Sequence, residues 1–305
     1  MNASPAATPA PARIARLFVY PVKSCAGIEV NEAVLTETGL DLDRAWMVVD
    51  AQGQFVTQRQ LPRLALVRPE FKRGGTELVL RAPGMLALHL AVDVVEEPVR
   101  VRVWKDEVAA YDMGEVAAQW FTDFLSLTAA GLPGADAPRY RLVRFDPEQQ
   151  RLSDPAWTGA VQASNQFSDG FPLLVLGQAS LDGLNARLRE AGQSPVGMER
   201  FRPNIVLDGW AAHAEDELDA FSLDAAEGAV TLRAVKPCSR CSIPDIDPAS
   251  AERGTVVGAA LREYRRDPRL QGALTFGVNA IVLQAPADAV LRVGQAVTIA
   301  TKSGS

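Results

Sequence analysis

Ala45-Trp46-Met47-Val48-Val49-Asp50-Ala51-Gln52-Gly53-Gln54-Phe55-Val56-Thr57-Gln58 reads as two β-rich runs joined by a turn. Aromatic and β-branched residues favour a pleated, half-buried surface, and Asp50 through Gln54 supply the turn chemistry between them. The texture continues outward in both directions. From Ile14 to about Val103 the chain is a series of short apolar runs, ARLFVYPVKS (15–24), IEVNEAVLTE (28–37), LALVRPEF (64–71), TELVLRA (76–82), ALHLAV (87–92) and VRVRVW (99–104), separated by Gly, Asp and Pro. That pattern predicts an antiparallel β domain.

Glu115 to Leu127 places apolar residues at helical spacing and predicts an amphipathic helix. Residues 128–141, TAAGLPGADAPRYR, have linker composition and set the boundary between residues 13–130 and residues 142–301. Ser180 to Ala191 predicts a helix with Ser180 as N-cap, Asp182 in its first turn and a stop near Gly192. Strand signals then return in PNIVLDG, AFSLD, AVTLRAV, FGVNAIVLQ and AVTIA, with one more helix expected across Val256 to Arg265. Many short strands, few helices and no βαβ rhythm give a predominantly β, α+β protein of two domains, the second expected to be a barrel.

Of the 305 residues, 48% are hydrophobic, enough for a packed core, and the formal net charge of -6 with dispersed basic residues gives no nucleic-acid footprint. No apolar run approaches the roughly 18 to 20 residues of a membrane span. Residues 1–12, rich in Ala and Pro without a basic and apolar signal pattern, read as a disordered leader. Three cysteines do not make a disulfide framework, so a reducing cytoplasm is the expected compartment.

Chemistry concentrates at Cys238-Ser239-Arg240-Cys241. A C-x-x-C pair serves as half of a zinc site, a redox disulfide, or the source of one soft thiolate for a transition metal. Zinc lacks further ligands at close spacing, since Cys25, His89 and His213 stand alone, and an iron-sulfur cluster needs four ligands where three cysteines exist. The thioredoxin-like reading needs a strand-to-helix junction, whereas the segment after Cys241 reads as loop. Dinucleotide, P-loop, zincin and hydrolase-elbow motifs are missing, and each of the two histidines reads as surface or packing. Polar residues interrupt the β context at Lys23 and Ser24, Arg44, Arg59 and Arg202; singly each also reads as framework, and collectively they suit one phosphate-bearing ligand. Ser168-Asp169-Gly170-Phe171-Pro172, running into Leu173-Leu174-Val175-Leu176, is either a turn before a buried strand or a group that orients a ligand or passes a proton.

Six ordered blocks carry a resemblance: Tyr-Pro-Val-Lys-Ser-Cys-Ala-Gly-Ile (20–28), Asp-Arg-Ala-Trp (43–46), Phe-Ser-Asp-Gly-Phe-Pro-Leu (167–173), Phe-Arg-Pro-Asn-Ile (201–205), Cys-Ser-Arg-Cys (238–241) and Phe-Gly-Val-Asn (276–279). Together the chain resembles the MOSC-domain proteins, with an N-terminal MOSC β-barrel domain followed by a MOSC domain as in the amidoxime-reducing components and their bacterial relatives. The resemblance implies a molybdenum-molybdopterin cofactor with Cys241 as metal ligand and Cys238 as a buried neighbour. It further implies that Lys23, Ser24, Arg44 and Arg202 bind the cofactor's phosphate and pterin. Ser168, Asp169, Gly170, Phe171 and Pro172 would line it near the metal, with Asp169 catalytic, and Ser239 and Asn279 would contact it. Cys25 reads as packing. The implied activity is reduction of N-hydroxylated or N-oxide-type substrates by oxygen-atom transfer, with electrons from a separate reductase, ferredoxin or small haem protein, an expectation that also rests on the chain ending at Ser305 without a ferredoxin-like cysteine quartet. Two alternatives remain open, a persulfide carrier of cofactor metabolism and a cofactor-storage module. Pyridoxal phosphate binding is also associated with the family, although the lysine domain that makes a persulfide in the sulfurases is lacking here.

Overall fold

The computed structural model describes residues 12–94, 97–126 and 138–302. The leader and most of the expected linker lie outside them. The first half runs β1 (Arg13–Val19), β2 (Ile28–Val30), β3 (Glu32–Thr36), β4 (Gly39–Leu40), β5 (Trp46–Asp50), β6 (Arg68–Lys72), β7 (Glu77–Arg81), β8 (Leu88–Ala91), β9 (Pro98–Val103), β10 (Asp106–Asp112) and α1 (Gly114–Leu125). The second runs β11 (Tyr140–Phe145), α2 (Pro155–Thr158), β12 (Leu173–Gly177), α3 (Gln178–Glu190), β13 (Ile205–Asp208), β14 (Leu218–Ala225), β15 (Gly228–Ser239), α4 (Val256–Tyr264), β16 (Arg266–Asp267), β17 (Ala273–Gln284), β18 (Val290–Arg292) and β19 (Thr298–Thr301). The protein is predominantly β with few helices, as the alternating pattern predicts.

The turn at Asp50–Gln54 forms as its composition requires. Asp50 Oδ1 accepts from the backbone N–H of Gln52 and of Gln54, each at 2.9 Å, and Gly53 takes the left-handed φ of 73° that bends the chain back.

Strand pairing does not follow chain order. A nine-stranded sheet runs β19-β14-β15-β17-β12-β13-β1-β2, with β16 beside β17, so the first two strands complete a sheet built from the second half. Conversely β11 returns to the first half in the order β5-β11-β10-β9, pairing Trp46 with Arg144. Two three-stranded sheets, β18-β3-β4 and β6-β7-β8, complete the set. The main apolar core accordingly mixes Ile14, Leu17 and Leu35 with Phe221, Leu232 and Leu291. This interlocking brings Lys23, in the turn that follows β1, next to Phe167 and Asp169, more than one hundred positions away.

One expectation is corrected at α3. Ser180 does not cap this helix. Strand β12 passes directly into α3 through Gly177, whose extended backbone takes the cap position, and β12 then pairs in parallel with β13 as a single β-α-β crossover. Ser180 points inward and donates to Glu215 Oε2 at 2.8 Å, while Gly177 N–H donates to Glu215 Oε1 at 3.3 Å. Burial pushes the Glu215 carboxyl above its ordinary value of 4.5, against these hydrogen bonds. Because the folded value lies above the unfolded one, its stabilising contribution is full below the unfolded value and fades as pH rises through the folded value. Glu215→Gln, which stays neutral, should therefore gain stability relative to the parent between pH 4.5 and neutrality, as read by thermal unfolding across pH.

Candidate functional site

The interlocking of the two halves leaves one cavity of about 350 Å³ between them. It is lined by Lys23, Ser24, Arg44 and Arg59 from the first half and by Arg202, Lys236, Ser239, Arg240, Cys241 and Asn279 from the second. Ser168, Asp169, Gly170 and Phe171 enter from the loop before β12. Of the expected site residues Pro172 alone stays out. It is turned toward β4, where its carbonyl would lie 2.6 Å from a Cβ placed on Gly39.

Tyr20 is the base of the cationic wall. Its fully buried ring carries the guanidinium carbons of Arg44 and Arg202, each 4.3 Å from the centroid. Asp43 holds this arrangement by accepting from Tyr20 N–H at 2.8 Å and from Arg44 Nη1 at 2.5 Å. Arg44 Nη2 donates to the Arg202 carbonyl at 3.1 Å, and Arg202 Nη1 donates to the Cys25 carbonyl at 2.6 Å. Arg202 has no carboxylate partner among the described residues. Burial, then the neighbouring Arg44 charge, pull its guanidinium down to about 10. Such a pair of half-buried like charges is relieved by an anion. Cys25, by contrast, is packing: it is buried, and burial pushes its thiol up to about 12.

Backbone strain gathers here as well. Ser24, Arg44, Trp104 and Arg202 all line the cavity and all adopt left-handed backbone, with φ of 67°, 54°, 56° and 58°. Each costs about 1 kcal/mol or more, and such residues persist where surrounding contacts fix them. Ser24 is fixed by Gln58 Nε2, which donates to its carbonyl at 2.7 Å.

Lys23, with 6% of its side chain exposed, donates to the Phe167 carbonyl at 2.7 Å and to Asp169 Oδ1 at 2.5 Å. Trp104 Nε1–H, from the β9–β10 turn, donates to the same oxygen at 3.3 Å. The surrounding protein works to raise the Asp169 carboxyl, but the Lys23 charge and these two hydrogen bonds outweigh it and hold the group well below the usual carboxylate range. Asp169 is therefore an anion throughout the neutral range. A carboxyl so firmly ionised is suited to orienting water or a ligand.

The loop carrying Asp169 is held by Arg151, which composition alone does not mark as special. Its buried guanidinium donates from Nη1 to Asn165 Oδ1 at 2.6 Å, to the Gln166 carbonyl at 2.8 Å and to the Ser168 carbonyl at 2.7 Å, with Asp106 Oδ2 taking Nε at 2.8 Å. Ser168 Oγ in turn donates to Asn165 Oδ1 at 3.1 Å, so its hydroxyl is spent on the loop. Replacing Arg151 by Met should cost about 2 to 3 kcal/mol in denaturant unfolding, because several buried acceptors lose their donor at once.

At the end of β15 two register shifts turn the strand, so that Pro237 is buried and the cysteines face the cavity. Cys241 is exposed and lines the cavity. Cys238 is half-buried and also lines the cavity, which corrects the expectation of a buried neighbour. Its Sγ accepts from Arg240 Nη1 at 3.0 Å, leaving Cys241 without such a partner among the described residues. Asn279 Nδ2 donates to the Lys236 carbonyl at 3.2 Å and so braces that strand pair. Both lysines of the cavity have partners, Lys23 as above and Lys236 over the Trp157 ring at 5.0 Å.

Six cationic side chains thus face one carboxylate. An anionic ligand with a soft metal fits this donor set: guanidiniums for phosphate, and one exposed cysteine sulfur. No group of three or more metal-ligating side chains occurs among the described residues, so a metal at Cys241 would draw its other donors from an organic cofactor.

A family model described as the MOSC N-terminal beta barrel domain matches residues 11–128, and one described as the MOSC domain matches residues 162–298. The chain is similar to mitochondrial amidoxime-reducing component 1 of Homo sapiens, at 36% identity over 243 residues, 77% of this chain and 66% of that protein. The Mus musculus protein of the same name is 34% identical over 241 residues, with the same shares. The molybdenum cofactor sulfurase of Bos taurus is 29% identical over 267 residues, which are 83% of this chain but 29% of that protein. The chain thus spans just under two thirds of the amidoxime-reducing components' length.

Proposed function

Because the chain belongs to the MOSC-domain family, with the N-terminal MOSC β-barrel domain and the MOSC domain in tandem, we propose that it is a molybdenum-cofactor-dependent oxidoreductase. Its substrates in this reading are N-hydroxylated or N-oxide-type compounds, consistent with relatives whose name is amidoxime-reducing component. The observation that carries the reading is the pairing, in one cavity, of an exposed Cys241 with the Arg44 and Arg202 guanidiniums stacked on Tyr20.

The cofactor, when bound, supplies two-electron oxygen-atom transfer. Cys241 provides the thiolate ligand. Arg44 and Arg202 take the phosphate, with Ser24 and Lys23 beside them, while Ser239 and Asn279 border the pterin. Phe171 and Gly170 line the side nearest Asp169, which orients water or substrate as a fixed anion. Arg151, acting through the loop carbonyls, keeps that anion in place. Electrons come from a separate donor, a reductase, ferredoxin or small haem protein. A reducing compartment such as the cytoplasm suits three free cysteines. No helix of the described residues is long and apolar enough to cross a membrane.

Metal analysis with cofactor extraction on the purified protein tests the reading. Stoichiometric molybdenum together with turnover supports it. A sulfane-sulfur adduct on Cys241 without molybdenum would instead make the chain a persulfide carrier, and molybdenum without turnover over a range of electron donors would make it a storage module.

A further inference from the structure

One guanidinium of the cavity is fixed in place and left with little to hold. The backbone of Arg59 is pinned on both sides: its N–H donates to Thr57 Oγ1 at 3.2 Å, and its carbonyl accepts from Arg253 Nη2 at 2.6 Å. Thr57 is closed in turn against Gln60, whose Oε1 accepts the Thr57 N–H at 3.0 Å. The Arg59 guanidinium carbon stands 4.6 Å from the centroid of the Trp104 ring, and Nε donates to Thr57 Oγ1 at 3.3 Å. Its two Nη groups have no partner among the described residues.

The platform beneath it is held at a cost. Trp104 fills a two-residue turn between Val103 and Asp106, with φ of 56° where Gly or Asn is the ordinary choice. A bulky residue in left-handed backbone is kept there by its contacts. Besides Arg59 these are the Phe55 ring at 5.0 Å and Asp169 Oδ1, which accepts from Nε1, and the indole remains 43% exposed.

The other cations of the cavity are committed. Lys23 is paired with Asp169 and Arg44 with Asp43, and Arg44 and Arg202 together on Tyr20 suit one phosphate. Arg240 spends Nη1 on Cys238 Sγ and Nη2 on the Phe201 carbonyl, and Lys236 lies over Trp157. The sequence groups Arg59 with the phosphate-binding cations, but the structure sets it on a different ring from theirs.

The geometry points to Arg59, on its Trp104 platform, as a second anion subsite that takes a carboxylate carried by the substrate. A guanidinium stacked by its face keeps its N–H edge free, and that edge meets a planar carboxylate with two parallel hydrogen bonds. Cofactor phosphate and substrate carboxylate then bind together, each on its own arginine and aromatic pair. The favoured substrates are acids, and their neutral analogues bind less well. Only the identification of the ligand as substrate rests on the proposed reductase reading.

Calorimetric titration of the purified protein with benzoate and with the isosteric benzamide tests this without turnover. Benzoate should bind about tenfold or more tighter than benzamide, the scale of a charge-assisted hydrogen-bonded pair. Arg59→Gln should remove that preference, Arg59→Lys should keep part of it, and both should retain as much cofactor as the parent. Equal affinity for benzoate and benzamide in the parent protein, which needs no variant, would overturn the inference. An unchanged preference in Arg59→Gln would do so too, since the anion would then sit elsewhere, as would loss of cofactor from that variant, which would put Arg59 in the cofactor's own site. Because binding is read directly, its failure leaves the reductase reading standing, and a failure of reduction leaves this subsite standing.

Discussion

Replacing Cys241 by alanine is expected to give a folded protein that retains no molybdenum and reduces no N-hydroxylated substrate. The side chain is exposed and outside the apolar clusters, so its loss should change stability by no more than about 0.5 kcal/mol. In the proposed reading its sulfur is the ligand that the protein itself gives to the metal, and no neighbouring cluster of ligating side chains among the described residues can substitute. Cys238→Ala makes the matched control. That sulfur is engaged by Arg240, whose Nη2 also holds the Phe201 carbonyl at 2.8 Å, so the guanidinium keeps one anchor when the sulfur is gone. Cys238→Ala should therefore keep its molybdenum and most of its turnover. Elemental analysis of both variants after desalting, beside their thermal unfolding, separates ligand from local structure.

The second large effect is expected at Arg202. Replacement by Met removes a half-buried cation that has no carboxylate partner among the described residues and stands against Arg44 across the Tyr20 ring. Phosphate affinity should fall about 100-fold, the scale of charge-assisted hydrogen bonds in a desolvated site. Protein stability should change far less. The lost stacking and the lost hydrogen bond to the Cys25 carbonyl are offset by relief of the Arg44 repulsion, and Met fills comparable apolar volume. Retained cofactor after gel filtration, set against the unfolding midpoint, measures the two effects separately. A large fall in stability with cofactor retention unchanged would make Arg202 a framework residue.

Local structure was legible wherever the residues themselves dictate it. The Asp50–Gln54 turn follows from Asp side-chain acceptors and a glycine, and helix α1 from apolar spacing. Partners of strands were not legible, because alternation specifies which face of β1 is buried and says nothing about the strand beside it. That β1 joins β13 and that β11 returns to β5 are long-range outcomes of core packing. At the site, the blocks around Lys23, Arg44, Asp169, Arg202 and Cys241 converge on one cavity, as the motif resemblance implies. Arg151 escaped notice because a lone arginine in a polar loop looks like surface until its acceptors are seen. Trp104 did leave a signal, a large aromatic in a tight turn after the alternating run VRVRV, where turn chemistry asks for Asn or Gly. Ser180 shows the reverse error: a serine near a helix start is an N-cap only if the preceding strand ends before it.

The central claim, that this cavity holds a molybdenum cofactor through Cys241 and uses it to cleave N–O bonds, is tested most directly by a single turnover. Molybdenum-loaded protein, chemically reduced and freed of excess reductant, is mixed anaerobically with benzamidoxime and the benzamidine formed is counted. The account predicts one benzamidine for each bound molybdenum, and none from Cys241→Ala. Stoichiometric molybdenum with no benzamidine formed would contradict it.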